Sequence, residues 1–282
     1  MTSTHLALDR VGEGIWAAVA TPGGGALGNA GIVNLGGEAL IFDTTLTPAA
    51  ARDLRAAAED LCIGPVRWVV NSHWHGDHVR GNASMPAGAT IVSTARTREL
   101  IATTGMEELA SRKANVAALA EQASALRAEG KQGDAAQLEL FVAELPSLEQ
   151  RLPDETFEER RSFDRAELLT FGGGHTDSDA VLWLAGDGVL FAADLVVAGT
   201  HPWIGVGHPE AWLGILDKLD GLAAATIVPG HGPVSGGGAP GFVRDYLRLL
   251  LEGSDEMPER LGLSDPERWQ RNRAALRERR SA

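Results

Sequence analysis

The sequence predicts a mixed α/β fold in one large domain that carries a helical insertion and a helical tail, and three observations lead there. Short apolar runs closed off by glycine or polar turns recur on both sides of a long central segment and read as strands. Stretches rich in alanine and leucine, opened by Pro48 and Pro209, follow such runs and read as helices. From about Gly105 to Leu152 the period changes: Val116, Leu119, Ala123 and Leu126 step by three and four, as do Leu138, Phe141, Leu145, Leu148 and Leu152. Gly130 to Gly133 separates the two series, which is the pattern of an antiparallel helical hairpin with a narrow apolar seam.

The chain in order supports this reading. Residues 5–20 alternate polar and apolar around a turn at Gly12 to Gly14, giving a strand hairpin. Thr21-Pro22-Gly23-Gly24-Gly25 reads as a mobile connecting loop. Strands are expected at Ala30–Asn34 and Ala39–Phe42, a helix from Pro48 to about Leu61 with Cys62 as packing, and a buried strand at Val66–Val70. Ala89–Ser93 is a further strand, and Thr94 is placed to cap a helix starting at Ala95. After the insertion at about 105–152, strands are expected at Glu167–Phe171, Ala180–Leu184, Val189–Ala193 and Thr226–Val228, with a helix from about Pro209 to Leu219. The tail, about 253–282, is helical and carries Arg268, Arg271, Arg273, Arg277, Arg279 and Arg280, which read as a solvated face. The whole, 1–282, reads as one domain.

Composition narrows the function classes. Of 282 residues, 44% are apolar and 22% charged, which is ample for a globular core. A formal net charge of -13 argues against a nucleic-acid partner, which calls for a basic footprint. No apolar run approaches the length of a membrane span, and Met1 to Val11 has no secretory pattern. The lone Cys62 fits a reducing, cytoplasmic setting. A small-molecule substrate is the expected partner, and a homo-oligomer through the hairpin or the C-terminal helix is open.

The chemistry gathers in Asn71-Ser72-His73-Trp74-His75-Gly76-Asp77-His78, directly after the strand Val66–Val70. Three of the chain's eight histidines fall in this one loop, so a merely polar surface loop is a poor explanation. Imidazole with carboxylate suits Zn(II), or less selectively Fe and Mn, and a thiolate site is excluded by the single cysteine. Other polar residues stand at strand ends or in glycine-flanked loops: His175 after Gly172-Gly173-Gly174, Asp194 after Val189–Ala193, and His231 in Pro-Gly-His-Gly. Together the candidates are His73, His75, Asp77, His78, His175, Asp194 and His231. Trp74 and Trp203 lie near them and read either as the lining of an apolar pocket or as packing, and His201 and His208 follow Asp194, with solvation expected before contact with a substrate.

The run His73-x-His75-x-Asp77-His78, then Gly-His175-Thr, Ala-Asp194 and Pro-Gly-His231-Gly, in this order and spacing, resembles the metallo-β-lactamase superfamily over about residues 5–250. The resemblance implies an αββα sandwich, two mixed β-sheets flanked by helices, here with an inserted helical hairpin. It implies two metal ions, zinc before iron or manganese, with His73, His75 and His175 on one, Asp77, His78 and His231 on the other, and Asp194 bridging. It also implies a metal-bridging hydroxide as nucleophile, with Asp77 as the catalytic residue that orients it. Asp43 and Asp179 are candidates to fix the second imidazole nitrogens.

Departures from known branches narrow the reading. The secreted lactamase branches carry Cys where this chain has Asp194. Lactone-cleaving relatives use a Tyr after the bridging Asp, and the one tyrosine here, Tyr246, follows His231 instead. The glyoxalase II-like hydrolases remain, implying cleavage of an ester, thioester or related acyl compound. The alternatives are an iron-dependent oxygenase or redox enzyme of the same fold, or a β-lactam-hydrolysing enzyme.

Overall fold

The computed structural model describes residues 3–257 and 259–281. Met1, Thr2, Pro258 and Ala282, which belong to the domain and tail ranges given above, lie outside the described residues, as do the side chains of Arg280 and Ser281. The chain divides into two compact units, Met1–Glu158 and Glu159–Ala282.

The first unit is built on a seven-stranded sheet whose spatial order is its chain order: β1 (Leu6–Gly12), β2 (Ile15–Ala20), β3 (Ala30–Asn34), β4 (Ala39–Phe42), β5 (Val66–Val70), β6 (Thr90–Thr94) and β7 (Glu155–Phe157). The pairs from β1 to β4 are antiparallel and those from β4 to β7 parallel, so the sheet is mixed. The change of sense follows from the connections, since tight turns return the chain antiparallel whereas a helical crossover brings it back parallel. That crossover is α1 (Pro48–Cys62), with proline in its first turn, Thr47 accepting from the Ala50 amide, and Ile63 left-handed at its C-terminal end. Its buried face, Ala50, Leu54 and Ala58 among others, packs with Ile32, Ile41, Val69 and Ile91 of the sheet.

Short helices α2 (Gly76–Val79) and α3 (Ala95–Leu100) follow β5 and β6. Thr94 caps α3 as expected, accepting from the Thr97 amide. The insertion contains α4 (Met106–Ala114), α5 (Val116–Ala128) and α6 (Gln132–Glu144), so the two-helix hairpin is α5 and α6 with one more helix leading into it. Leu119, Phe141, Leu145 and Leu148 of the anticipated seam bury together with Leu46 and Leu109, while Leu152 packs elsewhere, with Trp74, Val79, Leu100 and Ile101.

The second unit holds a six-stranded sheet in the order β13 (Ser235–Gly236), β12 (Thr226–His231), β11 (Val189–Val197), β10 (Ala180–Leu184), β9 (Ala166–Thr170), β8 (Arg160–Phe163). Only β11 and β12 run parallel, joined through α7 (Pro209–Gly221). Helices α8 (Ala239–Leu251) and α9 (Pro266–Ser281) complete the unit. Trp212 of α7, Tyr246 of α8 and Trp269 of α9 bury in one cluster with Val181, Leu190 and Ala192 of the sheet.

Several details differ from the sequence reading. β7, β8 and β13 were not anticipated, because short edge strands carry too few apolar residues to show a period. The glycine stretch 21–25, expected as a free connection, is hydrogen-bonded at both ends: Thr21 N donates to His5 O at 3.0 Å, and Gly25 N donates to Gln137 Oε1 of α6 at 2.8 Å. His201 is not solvated; its ring nitrogens meet Tyr246 Oη at 2.9 Å and Ser264 O at 2.7 Å. Of the described arginine side chains of α9, Arg268, Arg271, Arg277 and Arg279 are exposed, whereas Arg273 is buried and ion-paired with Asp255. Among the described residues, no helix is long and apolar enough to cross a membrane.

Burial pushes the Cys62 thiol up to about 11, so almost no thiolate forms at pH 8. Iodoacetamide at that pH is therefore expected to label Cys62 only after denaturation. Mass spectrometry of labelled native protein checks this, and rapid native labelling would contradict the burial of α1 against its sheet.

Candidate metal centre

In the first unit, the candidate ligands leave the sheet where β4, β5 and β6 run parallel, just past their carboxyl ends, the side on which open α/β sheets place their sites. Asp43 follows β4 at a left-handed φ of 60° and has no exposed surface. Its carboxylate accepts from Ser72 N at 2.8 Å and Ser72 Oγ at 2.7 Å, and its Oδ2 lies 2.9 Å from His78 Nδ1. Burial raises the pKa of Asp43, and the facing His78 imidazole is the strongest opposing influence. Beneath the loop, Asn71 and Asn82 exchange side-chain hydrogen bonds at 3.0 and 2.8 Å, and Thr44 N donates to His78 O at 2.8 Å. These contacts leave the loop little freedom.

His73 is buried, with Nδ1 2.9 Å from Ser72 Oγ, and its Nε2 faces His75 Nδ1 at 3.1 Å. His78 Nε2 lies 3.7 Å from Asp77 Oδ2. Trp74 points away from these atoms into the cluster with Val79 and Ile101, which is packing, although its ring also lies edge-on to His75 at 4.6 Å.

In the second unit, His175, Asp194 and His231 come together although 56 positions separate the first from the last (231 minus 175). His175 Nε2 and His231 Nε2 each lie 3.3 Å from the same atom, Asp194 Oδ2. The approach is close: Ala193, just before Asp194, has a left-handed φ of 46°, and a β-carbon at Gly230 would sit 1.9 Å from Asp194 Oδ1. Only glycine fits before His231. The loop of His175 is held by Asp179, which accepts from Gly174 N at 2.8 Å and from Thr176 Oγ1 at 2.8 Å. Burial raises the pKa of Asp179, and His175 leads the opposing influences. Asp179 thus orients the loop, whereas Asp43 touches an imidazole directly. Trp212 supports His175 from below, ring edge to ring, at 5.4 Å.

Both donor sets fit a divalent cation. Bonds of about 2.0–2.2 Å from a tetrahedral centre put donor atoms about 3.4 Å apart, the spacing seen between His73 and His75 and around Asp194. Imidazole nitrogens and carboxylate oxygens with no thiolate suit zinc, iron or manganese alike.

The model of the metallo-beta-lactamase superfamily matches residues 23–231. The chain belongs to that superfamily. No curated protein matches the sequence significantly. Among solved structures, the metallo-beta-lactamase of Hirschia baltica is 16% identical, covers 86% of this chain and 97% of its own, and superimposes with a TM-score of 0.64. FIM-1 of Pseudomonas aeruginosa, solved in a mono-zinc form, gives 17% identity, 87% and 96% coverage and 0.64. The metallo-beta-lactamase of Pontibacter korlensis gives 19%, 86% and 99%, and 0.62. At these identities the likeness establishes the fold, two mixed sheets flanked by helices, as the motifs implied. The superfamily is one of metal-dependent hydrolases, and this member carries its candidate ligands as histidine and aspartate.

The sequence reading gave no site role to Ser72, Asn82 or Arg80, all buried around the histidine loop. Ser72 stands beside the candidate ligand His73 in the same loop, a signal that could have pointed to it, whereas Asn82 and Arg80 carry no motif of their own. Replacing Asp43 with Asn keeps a residue tolerant of the left-handed backbone but removes the charge facing His78. Metal affinity, read by chelator competition, is expected to fall about 10- to 100-fold. Unchanged affinity would mean that Asp43 serves the loop and not the ligand.

Proposed function

We propose that the protein is a dinuclear metal hydrolase, zinc-dependent before iron or manganese, that cleaves an ester, thioester or related acyl compound. In this reading, which follows the sequence motifs, His73, His75 and His175 would hold one ion, Asp77, His78 and His231 the other, with Asp194 bridging. The observation that carries this reading is Asp194: one carboxylate oxygen stands equidistant from two imidazole nitrogens that belong to different ions in this assignment. An aspartate there, with every other ligand position filled, supports a full two-metal set.

When bound, divalent cations supply Lewis acidity and lower the pKa of a water toward neutrality. The protein's own residues do the rest. Asp43 and Ser72 fix the rings of His78 and His73 through Nδ1, leaving each Nε2 directed away. Asp77, which retains partial exposure beside His78, would hold a proton and pass it to the leaving group. The single buried, unbridged Cys62 is in keeping with work in the reducing cytoplasm.

A second reading, β-lactam hydrolysis, is favoured by the solved structures of similar fold, one of them the DIM-1 enzyme exposed to ceftazidime. A panel of thioesters, carboxylic esters and β-lactams, assayed with metal analysis of the purified protein, separates the readings. About two zinc per chain with acyl-ester turnover is the expected result, and one iron with oxygen consumption would overturn it. Asp194→Ala is expected to lower metal content and cut hydrolysis by about two orders of magnitude or more, with circular dichroism unchanged. Full activity in that variant would remove the two-metal assignment.

A further inference from the structure

The first unit contains a cavity of about 250 Å³ that reaches Asp77 at one end and the inserted helices at the other. Leu46, Leu138 and Phe141 give it apolar walls, and Leu27, more than two-fifths exposed and at a left-handed φ of 64°, also lines it. Arg80, four residues after the loop's Gly76, lines it too and is 3% exposed. The guanidinium lies against Gly76 so closely that a β-carbon there would be 2.1 Å from Nε.

Arg80 is short of partners. Its Nη2 pairs with Glu108 at 3.4 Å, but Nε and Nη1 are buried with no hydrogen-bond partner. Glu108 is itself shared, because Arg112 Nη2 donates to its other oxygen at 3.2 Å. A buried guanidinium stays charged, and each unmet buried donor costs on the order of 1–3 kcal/mol. A guanidinium with unmet donors, lining a cavity that also reaches a candidate catalytic residue, suits an anion as its missing partner. The lining also carries a second cation, Arg112, against three acids, Glu108, Asp134 and Asp77, the last assigned to a metal ion in the proposed function, so a singly charged carboxylate meets less repulsion there than a phosphate dianion would.

We propose that this cavity is a substrate subsite and that the substrate carries a carboxylate, bound by Arg80, on an apolar arm lying along Leu138 and Phe141. This rests on the hydrolase reading, since it places the scissile acyl group toward Asp77. Planar carboxylate and planar guanidinium match in geometry as well as charge. The inserted helices thereby act as the selective wall of the site, with Phe141 under the guanidinium at 5.8 Å.

The test uses the full-length protein as purified and the probe pair 5-phenylpentanoate and 5-phenylpentanamide, titrated by calorimetry. The wild type is expected to bind the acid at least tenfold more tightly than the amide. Arg80→Met should bring the acid down to the amide's affinity, and Leu138→Trp, which fills the cavity without touching Arg80, should weaken both. Equal binding of acid and amide by the wild type overturns the proposal. So does undiminished acid binding in Arg80→Met, which would place the carboxylate on a metal ion. The wild-type comparison stands even if a variant fails to fold. Turnover of the 4-nitrophenyl monoester of glutaric acid and of its neutral methyl ester separates the two levels of the argument. A lower KM for the acid ester supports the subsite, and equal KM values overturn it. No hydrolysis of either ester beside selective binding of the acid probe overturns the hydrolase reading alone.

Discussion

One buried carboxylate, that of Asp43, ties the end of β4 to the loop that carries the first candidate ligands. It sits where β4 ends, in a backbone conformation unfavourable to residues with a β-carbon, and reaches across to the loop that follows the neighbouring strand. There it accepts from the Ser72 amide and hydroxyl and meets His78 Nδ1. Taking a carboxylate out of water is costly unless its oxygens are filled, and three contacts fill them. The same contacts fix the direction of two candidate ligands, His78 directly and His73 through Ser72. Thr45, two residues on, is also left-handed, so strain gathers beside the candidate ligands.

The second unit meets the same demand by different means. Asp194 ends up between His175 and His231 because Ala193 takes a strained φ and Gly230 yields the space that any side chain would occupy. What offsets such strain is the apolar frame beneath. β11 is buried along its whole length, and Trp212, Tyr246 and Trp269 close its helical side. Burial of large side chains, each contributing on the order of 1.5–3 kcal/mol, is the term large enough to hold a few unfavourable backbone angles in place. The raised pKa of Tyr246, to about 12, fits this role: its hydroxyl binds Asn272 and His201 inside the core and takes no charge.

The inserted helices link these structural matters to selectivity. Their apolar seam is ordinary packing, yet the face toward the histidine loop is not closed, and Arg80 sits there with donors unmet. A structural insertion need only cover apolar surface. This one also leaves a cavity beside a candidate catalytic carboxylate, and that sets it apart from a plain edge decoration.

How much of this was legible in the sequence depends on the range of the interactions involved. Strands such as Val66–Val70 and Ala180–Leu184, the start of α1 at Pro48 and the cap at Thr94 are local, and their residues announced them. The candidate ligands were legible because metal chemistry allows few side-chain types and the loops that carry them are marked by glycine. Edge strands β7, β8 and β13 were not, since they owe their existence to a neighbouring strand and not to their own pattern. Nor was the anchoring of the glycine-rich stretch, which depends on Gln137 more than a hundred positions away. By itself the sequence determined the family, the order of the longer elements and the set of candidate ligands. Only the tertiary structure decided that Asp43 holds His78, that Asp179 holds a loop instead of a ring, that His201 is core, and that Arg80 opens on a cavity. Each of those depends on which distant groups share a volume from which water is excluded, and that is not written in any local run of residues.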